Sequence, residues 1–422
     1  MGKKTTIQGI VVGFNSLQYQ GKIINTWTSA SDSAAARQPL NLAQHEGEVV
    51  KISGVLLKDL WETQFEGKLD KTKEAGSLRE LLQIREDNRG NIAKAKYRGS
   101  ALGFKWSMKK NTKHPCIIIF VAKKKNPGEV DETELAPDVL ADKNGTWCLT
   151  DVVAGGESGK VSDESLPGLT PKNEKVVKAL SSKGSDLIGG IRLAFDIGDN
   201  EEGWGTAGIA VKNEDDDIGF LTNRHVTGDS DREIYHPHLN NPPIGNNYKP
   251  GKYSAAECTF KEWYGIDTGN AGSIVFTDYG FIKINDSLKS KVRSGIYGIG
   301  NVGPIKRIDL DTMDIIGQKI ISVGASRGVQ RGSVAAFSYE WKLFGISYYA
   351  DILIIGEEGD FSCSGDSGKI IVTDDEEHCP IALHWGGVQG QFDNEEGPVQ
   401  NVWGKATELG KILEISGLKL LD

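Results

Sequence analysis

Cysteine is scarce in this chain, with five in 422 residues, at positions 116, 148, 258, 363 and 379. Their number is odd, no two form a C-x-x-C pair, and their spacing is irregular, so neither a disulfide framework nor a zinc site is expected. Cysteine used this sparingly fits a reducing compartment, and a cytoplasmic location is expected. Long apolar runs are also missing. No segment approaches the ~18 apolar residues of a membrane-spanning helix, so no membrane span is expected in it. The opening "MGKKTTIQGIVVGFNSL" has lysines but only a short apolar run, unlike a secretory signal. It does match the loose myristoylation pattern formally, which carries little weight. Positive charge is in deficit, with a net charge of −9, and the deficit is local. Residues 1–155 carry a balance of +5 and residues 156–422 a balance of −14. An acidic C-terminal part argues against a nucleic-acid partner.

Glycine, in contrast, is abundant: 52 residues, a content that suits a loop-rich β protein. The length and the uneven charge point to more than one domain, with a boundary near residue 155. Residues 1–155 read as an α+β domain. "IQGIVVGF", "GEVVKISGVLL", "SALGFKWSM", "PCIIIFVAKKK" and "TWCLTDVV" are strand candidates. Residues 73–97 carry apolar positions at helical spacing, with a break expected near Gly90. Residues 156–187 are rich in Gly, Ser, Pro and Lys and read as a linker. From 188 to 422 short strand candidates alternate with Gly- and Asp-rich turns, a β-barrel or sandwich pattern. Residues 403–421 look like a terminal helix.

Within that β region stands "FSCSGDSGKIIV", residues 361–372. A surface turn also uses Gly, Asp and Ser. The other reading is a nucleophilic Ser367 whose flanking N–H groups stabilise an oxyanion. A hydroxyl needs a base, and the base needs an orienting acid. Of only seven histidines, His225 in "GFLTNRHVTG" sits at the end of an apolar strand. Asp278 in "SIVFTDYGFIKIN" interrupts a strand pattern in which Asp is disfavoured. Asp267 in "YGIDTGN" is the rival, in a turn-like setting. The order is His225, Asp278, Ser367.

"TNRHV", "DYGFIKI" and "GDSG" in that order resemble the triad motifs of trypsin-like serine peptidases of the chymotrypsin fold, over roughly residues 188–416. The likeness is greatest to large intracellular members with an N-terminal α+β extension. It rests on "GTAGIAVKNEDDDIGFLTNRHV", "GASRGVQRGSV" and "FSCSGDSGK". The resemblance implies a mainly β protein: a chymotrypsin-like double six-stranded β-barrel preceded by a smaller α+β domain. It implies Ser367 as nucleophile, His225 as general base, and Asp278 as the orienting acid. The N–H groups of Gly365 and Ser367 would form the oxyanion hole. Phe361, Ser362, His384, Trp385 and Gly386 would line the substrate cleft, the last three as a segment that pairs with the substrate main chain. Trypsins carry an acid where Phe361 stands, so an Arg/Lys-directed pocket is not expected. Cys363 stands at a frequent disulfide position, and the segment "HWGGVQG" offers no cysteine to pair with it. Lys369 occupies a position where a small residue is common, and the sequence offers no reason for it. No R-I/V-V-G-G activation site precedes the barrel, so control by a cleaved N-terminus does not carry over. Control by the N-terminal domain, or by a regulatory protein bound to it, is the expectation.

The expected function is therefore a serine endopeptidase acting on protein or peptide substrates, with no cofactor, no metal and no membrane partner. The alternative is a catalytically silent binding or scaffold protein on the same fold. His236 and His238 in "YHPHL" lack a third metal ligand, and the acidic runs 213–217 and 373–377 lack calcium-loop spacing. The basic stretch 94–114 reads as a solvated face rather than a nucleic-acid site.

Overall fold

A computed structural model of the chain describes residues 4–13, 16–19, 22–25, 42, 44, 47–55, 73–107, 110–124, 136–156, 169–184, 186–199, 201–266, 272–391 and 401–421. These form two compact units, one of residues 1–157, 309–313 and 390–400, the other of 158–308, 314–389 and 401–422.

The first unit is α+β. Strands β1 (Lys4–Gly13), β2 (Ser16–Tyr19), β3 (Lys22–Asn25) and β4 (Val49–Val55) form an antiparallel sheet in the order β3-β2-β1-β4. Helices α1 (Leu78–Asp87) and α2 (Arg89–Lys94) precede a second group of strands: β5 (Gly99–Ser107), β6 (Lys110–Val121), β7 (Val139–Ala141) and β8 (Trp147–Gly155). There β6 runs antiparallel to β5 and parallel to β8. The apolar run Ile117–Phe120 is fully buried, as are Leu78, Leu81, Leu82 and Ile84 on one face of α1. Ser77 caps α1, its Oγ accepting from Glu80 N, while Glu80 Oε2 accepts from Gly76 N. The helix breaks at Asn88, two residues before the expected Gly90. The Asn88 side chain donates to the Ile84 and Ala141 carbonyls, which competes with continued helix.

The second unit is almost all β. Helix α3 (Pro171–Leu180) falls inside the segment read as linker. Thr170 caps it, Pro171 fills its first turn, and Asn173 exchanges two hydrogen bonds with the Val329 main chain. The strands in order are β9 (Leu187–Gly189), β10 (Arg192–Asp196), β11 (Glu202–Thr206), β12 (Ile209–Lys212) and β13 (Ile218–Thr222), followed by the short helix α4 (Arg224–Thr227). Then come β14 (Glu233–Tyr235), β15 (Pro243–Asn247), β16 (Ala255–Thr259), helix α5 (Phe260–Tyr264), β17 (Ser273–Ile284) and β18 (Val292–Ile296). The chain continues through β19 (Lys319–Gly324), β20 (Gly328–Leu343), β21 (Ile346–Gly356), β22 (Ile370–Thr373), β23 (Pro380–Gln391) and β24 (Asn401–Glu408). It ends in α6 (Leu409–Ser416) and β25 (Lys419–Leu420).

Two ladders meet on the long strand β17. One runs β11-β10-β14-β15-β17-β13-β12, using residues 280–284 of β17. The other runs β16-β17-β21-β20-β19-β22-β23, using residues 273–279. The C-terminal segment 403–421 is not one helix. Residues 402–410 are all buried, a pattern of a strand covered on both faces, and such a run lacks the periodicity that separates strand from helix. Gly417, at φ 70°, ends α6 and lets β25 pair with β12.

Candidate active site

Strand β13 carries its apolar run to Thr222, and α4 turns immediately afterwards, so His225 is held at a strand end. Its Nδ1 lies 2.6 Å from Asp278 Oδ2, and its backbone N–H donates to Asp278 Oδ1 at 3.2 Å. One carboxylate thus fixes both the ring and the main chain of the histidine. The imidazole is half exposed while the Asp278 side chain is 4% exposed, so the acid is shielded and the base faces outward. Asp278 adopts φ 41° inside β17, a left-handed conformation that L residues other than Asn and Asp seldom take. The buried Asn223 holds it there, donating from Nδ2 to the Asp278 carbonyl at 2.7 Å. Two residues on, Gly280 permits the approach of α4, since a Cβ would stand 2.4 Å from Thr227 Oγ1.

The Gly365–Gly368 turn is fixed from below. Gly365 and Gly368 take φ 85° and 99°, where a side chain is strained. Thr206 grips the turn twice, its hydroxyl donating to Gly365 O at 2.8 Å and its N–H to Ser367 O at 2.8 Å. Within 365–369 the N–H groups of Asp366, Gly368 and Lys369 donate to Cys363, His384 and Asp366 carbonyls. Among the described residues those of Gly365 and Ser367 have no acceptor. Two free donors on either side of Asp366, one of them the serine's own N–H, are what an oxyanion site requires.

The histidine and serine segments converge on Gly205. A Cβ there would stand 2.6 Å from Val226 Cγ2 and 3.2 Å from Ser367 O. Gly368 in turn packs on Thr222, three residues before His225. Ser367 Oγ has no hydrogen-bond partner among the described residues.

Phe361 is fully buried, its ring 5.9 Å from His384 at 86° and close against Gly404, where a Cβ would stand 2.5 Å from Phe361 Cδ1. Ser362 Oγ and His384 Nε2 are 3.1 Å apart. Burial, then the nearby Lys369 and Lys405 charges, push His384 well below the usual histidine range, so it stays neutral. Trp385 is buried too, its indole N–H donating to Thr407 Oγ1 at 3.0 Å, while Gly386 is half-buried.

The remaining sequence candidates have other partners. His238 pairs with Glu202 and His236 with the Arg192 carbonyl, and the described residues contain no cluster able to hold a metal. The acids of 213–217 are neutralised by lysines: Asp215 by Lys249, Glu214 by Lys252, Asp217 by Lys283. All five cysteines are free thiols. In the basic stretch, Lys105 is buried and donates to the Thr150 carbonyl. Asp267 lies outside the described residues. The sequence reading missed Asn223 and Thr206. Both stand beside flagged glycine or histidine motifs, and a buried polar residue next to an apolar strand end was the available signal.

Two β ladders sharing one long strand, with a histidine–aspartate pair on one side and a Gly-Asp-Ser-Gly turn on the other, define a chymotrypsin-like protease fold preceded by an N-terminal domain. No helix among the described residues is long and apolar enough to cross a membrane.

The chain belongs to the NARROW LEAF 1 family: the Nal1 C-terminal domain matches residues 174–422 and the NARROW LEAF 1 N-terminal domain residues 73–153. The family is distantly related to the chymotrypsin-fold serine proteases that the motifs resemble. Protein NARROW LEAF 1 of Oryza sativa subsp. japonica is 32% identical over 375 residues, covering 82% of this chain and 61% of that protein. A Bradyrhizobium tropiciagri protein named "Probable serine protease" is 26% identical over 335 residues, covering 73% of this chain and 39% of its own length. The chain therefore spans 61% and 39% of the curated relatives it matches. Among solved structures, Thermobifida fusca protease A aligns at 16% identity and TM-score 0.36, over 56% of this chain and 98% of that one.

Proposed function

We propose that the chain is a serine endopeptidase that cleaves protein or peptide substrates through an acyl-enzyme. Ser367 Oγ attacks the scissile carbonyl carbon while His225 Nε2 takes its proton. The carbonyl oxygen becomes an oxyanion and accepts the N–H groups of Gly365 and Ser367. The imidazolium is stabilised by Asp278, which keeps Nδ1 as the donor and so leaves Nε2 as the base. The tetrahedral species collapses as the C–N bond breaks, and His225 gives its proton to the departing amine. Water then repeats the attack on the ester with His225 as base, releasing the acid and restoring Ser367.

The observation that carries this reading is the 2.6 Å contact between His225 Nδ1 and a shielded Asp278. An exposed histidine on a surface turn has no need of a buried acid. The test is covalent labelling of the full chain by a fluorophosphonate, which reacts with a serine only where base and oxyanion donors are both in place. Proteome-wide cleavage mapping, wild type against Ser367→Ala, would then give the substrates.

A further inference from the structure

Lys369, two residues after the proposed nucleophile, is fully buried. Its ammonium has three N–H donors, and all three are used: Asp366 Oδ2 at 3.1 Å, the Phe361 carbonyl at 2.8 Å, and Gln330 Oε1. It also lies 4.2 Å from the centre of the Phe361 ring. Asp366 is equally buried, and its other oxygen accepts the N–H groups of Ser326 and Arg327 at 3.2 and 3.3 Å. Gly324 is pressed on the same carboxylate, with room for no Cβ.

One ammonium and one carboxylate thus join three segments: the Phe361 region, the Gly365–Ser367 turn, and the β19–β20 hairpin. A buried ion pair is a poor source of stability, because desolvation offsets the attraction. Its use is geometric, since each charge strongly penalises any arrangement that leaves the other unpaired. Asp366 is the residue between the two free N–H groups. If its side chain swung out, the Gly365 and Ser367 peptides would rotate with it.

We propose that Lys369 is a positioning residue: the built-in cation that holds Asp366 inward and keeps the Gly365–Ser367 turn in its donating form. The site is then formed on folding, without a freed N-terminus. This rests on the serine-peptidase reading above. It also accounts for a lysine where the sequence offered no reason for one.

The test uses the full chain and compares wild type with Lys369→Met, Asp366→Asn and Gln330→Leu. The readouts are the rate of fluorophosphonate labelling, kcat and KM on p-nitrophenyl acetate, and thermal unfolding. Folded Lys369→Met should label and turn over at least ~30-fold more slowly, with KM changed less than about twofold, because the oxyanion donors act in the transition state and not in ground-state binding. Gln330→Leu, which keeps the ion pair, should lose only several-fold. Wild-type labelling together with a folded Lys369→Met that labels within twofold of it overturns the inference and leaves the peptidase reading intact. If Lys369→Met does not fold, Asp366→Asn decides: a loss of tenfold or more supports the inference, and a wild-type rate overturns it. If neither folds, Gln330→Leu decides, with a several-fold loss in kcat at unchanged KM supporting and a wild-type kcat overturning. Wild-type protein that takes no label overturns the peptidase reading and this inference with it.

Discussion

His225 and Asp278 are joined twice, ring nitrogen to one carboxylate oxygen at 2.6 Å and backbone N–H to the other at 3.2 Å. An amide in place of the acid can keep the main-chain bond but cannot hold the Nδ1–H tautomer or an imidazolium. Asp278→Asn should therefore fold normally and lose about 10^3–10^4-fold in kcat on p-nitrophenyl acetate. Full activity in Asp278→Asn with a dead Asp267→Asn would transfer the role to Asp267.

Gly365→Ala should be more damaging than a one-carbon change suggests. The new Cβ would stand 2.0 Å from Trp204 Nε1 and 2.3 Å from Ser326 Oγ, at a φ of 85°. Relief requires the peptide to turn, which withdraws one donor from the proposed oxyanion site. Labelling by a fluorophosphonate should slow by about 10^2-fold or more. An alanine variant that labels at the wild-type rate would place the oxyanion elsewhere.

The region around Phe361 argues against a cationic P1 side chain. Its ring fills the space beside Gly404, and the Lys369 ammonium sits 4.2 Å from the ring, where it would repel a substrate cation. A peptide-library profile should favour small or apolar P1 residues, and a dominant Arg or Lys preference would contradict this. Phe361→Ala should cost roughly 3–5 kcal/mol in stability and widen P1 acceptance.

Stability should depend on pH through Lys405. Its ammonium is buried 4.8 Å from the Trp341 ring and 4.5 Å from Trp385, and burial pushes it down to about 7. Between that value and the ordinary 10.5, the unfolded chain binds the proton and the folded chain does not. Stability therefore rises with pH across that window, by at most about 1.4 kcal/mol per pH unit. Chemical denaturation of wild type against Lys405→Met should show the wild type gaining on the variant from pH 7 to 10. A constant difference would contradict a depressed Lys405.

Much of this was legible in the sequence because the motifs are local. A strand-ending Thr-Asn-Arg-His and a Gly-Asp-Ser-Gly turn announce tight geometry over a few residues, and alternating strands with Gly-rich turns announce a β fold. What stayed hidden depends on long-range partners. Lys369 makes sense only once Phe361, Asp366 and Gln330 surround it. The Asn223 amide finds Asp278 across 55 positions, and Thr206 finds Gly365 across 159. Strand β24 read as helix because both its faces are buried, which removes the alternation that marks a strand. Helix α3 was hidden in a composition that looks like linker, although Thr170 and Pro171 form a recognisable helix start.

Fluorophosphonate labelling of the 422-residue wild type beside Ser367→Ala, read by mass spectrometry, tests the central claim most directly. The account predicts one adduct, on Ser367, in the wild type, and none in the folded variant. Absence of label on folded wild type, or equal labelling of both proteins, would contradict it.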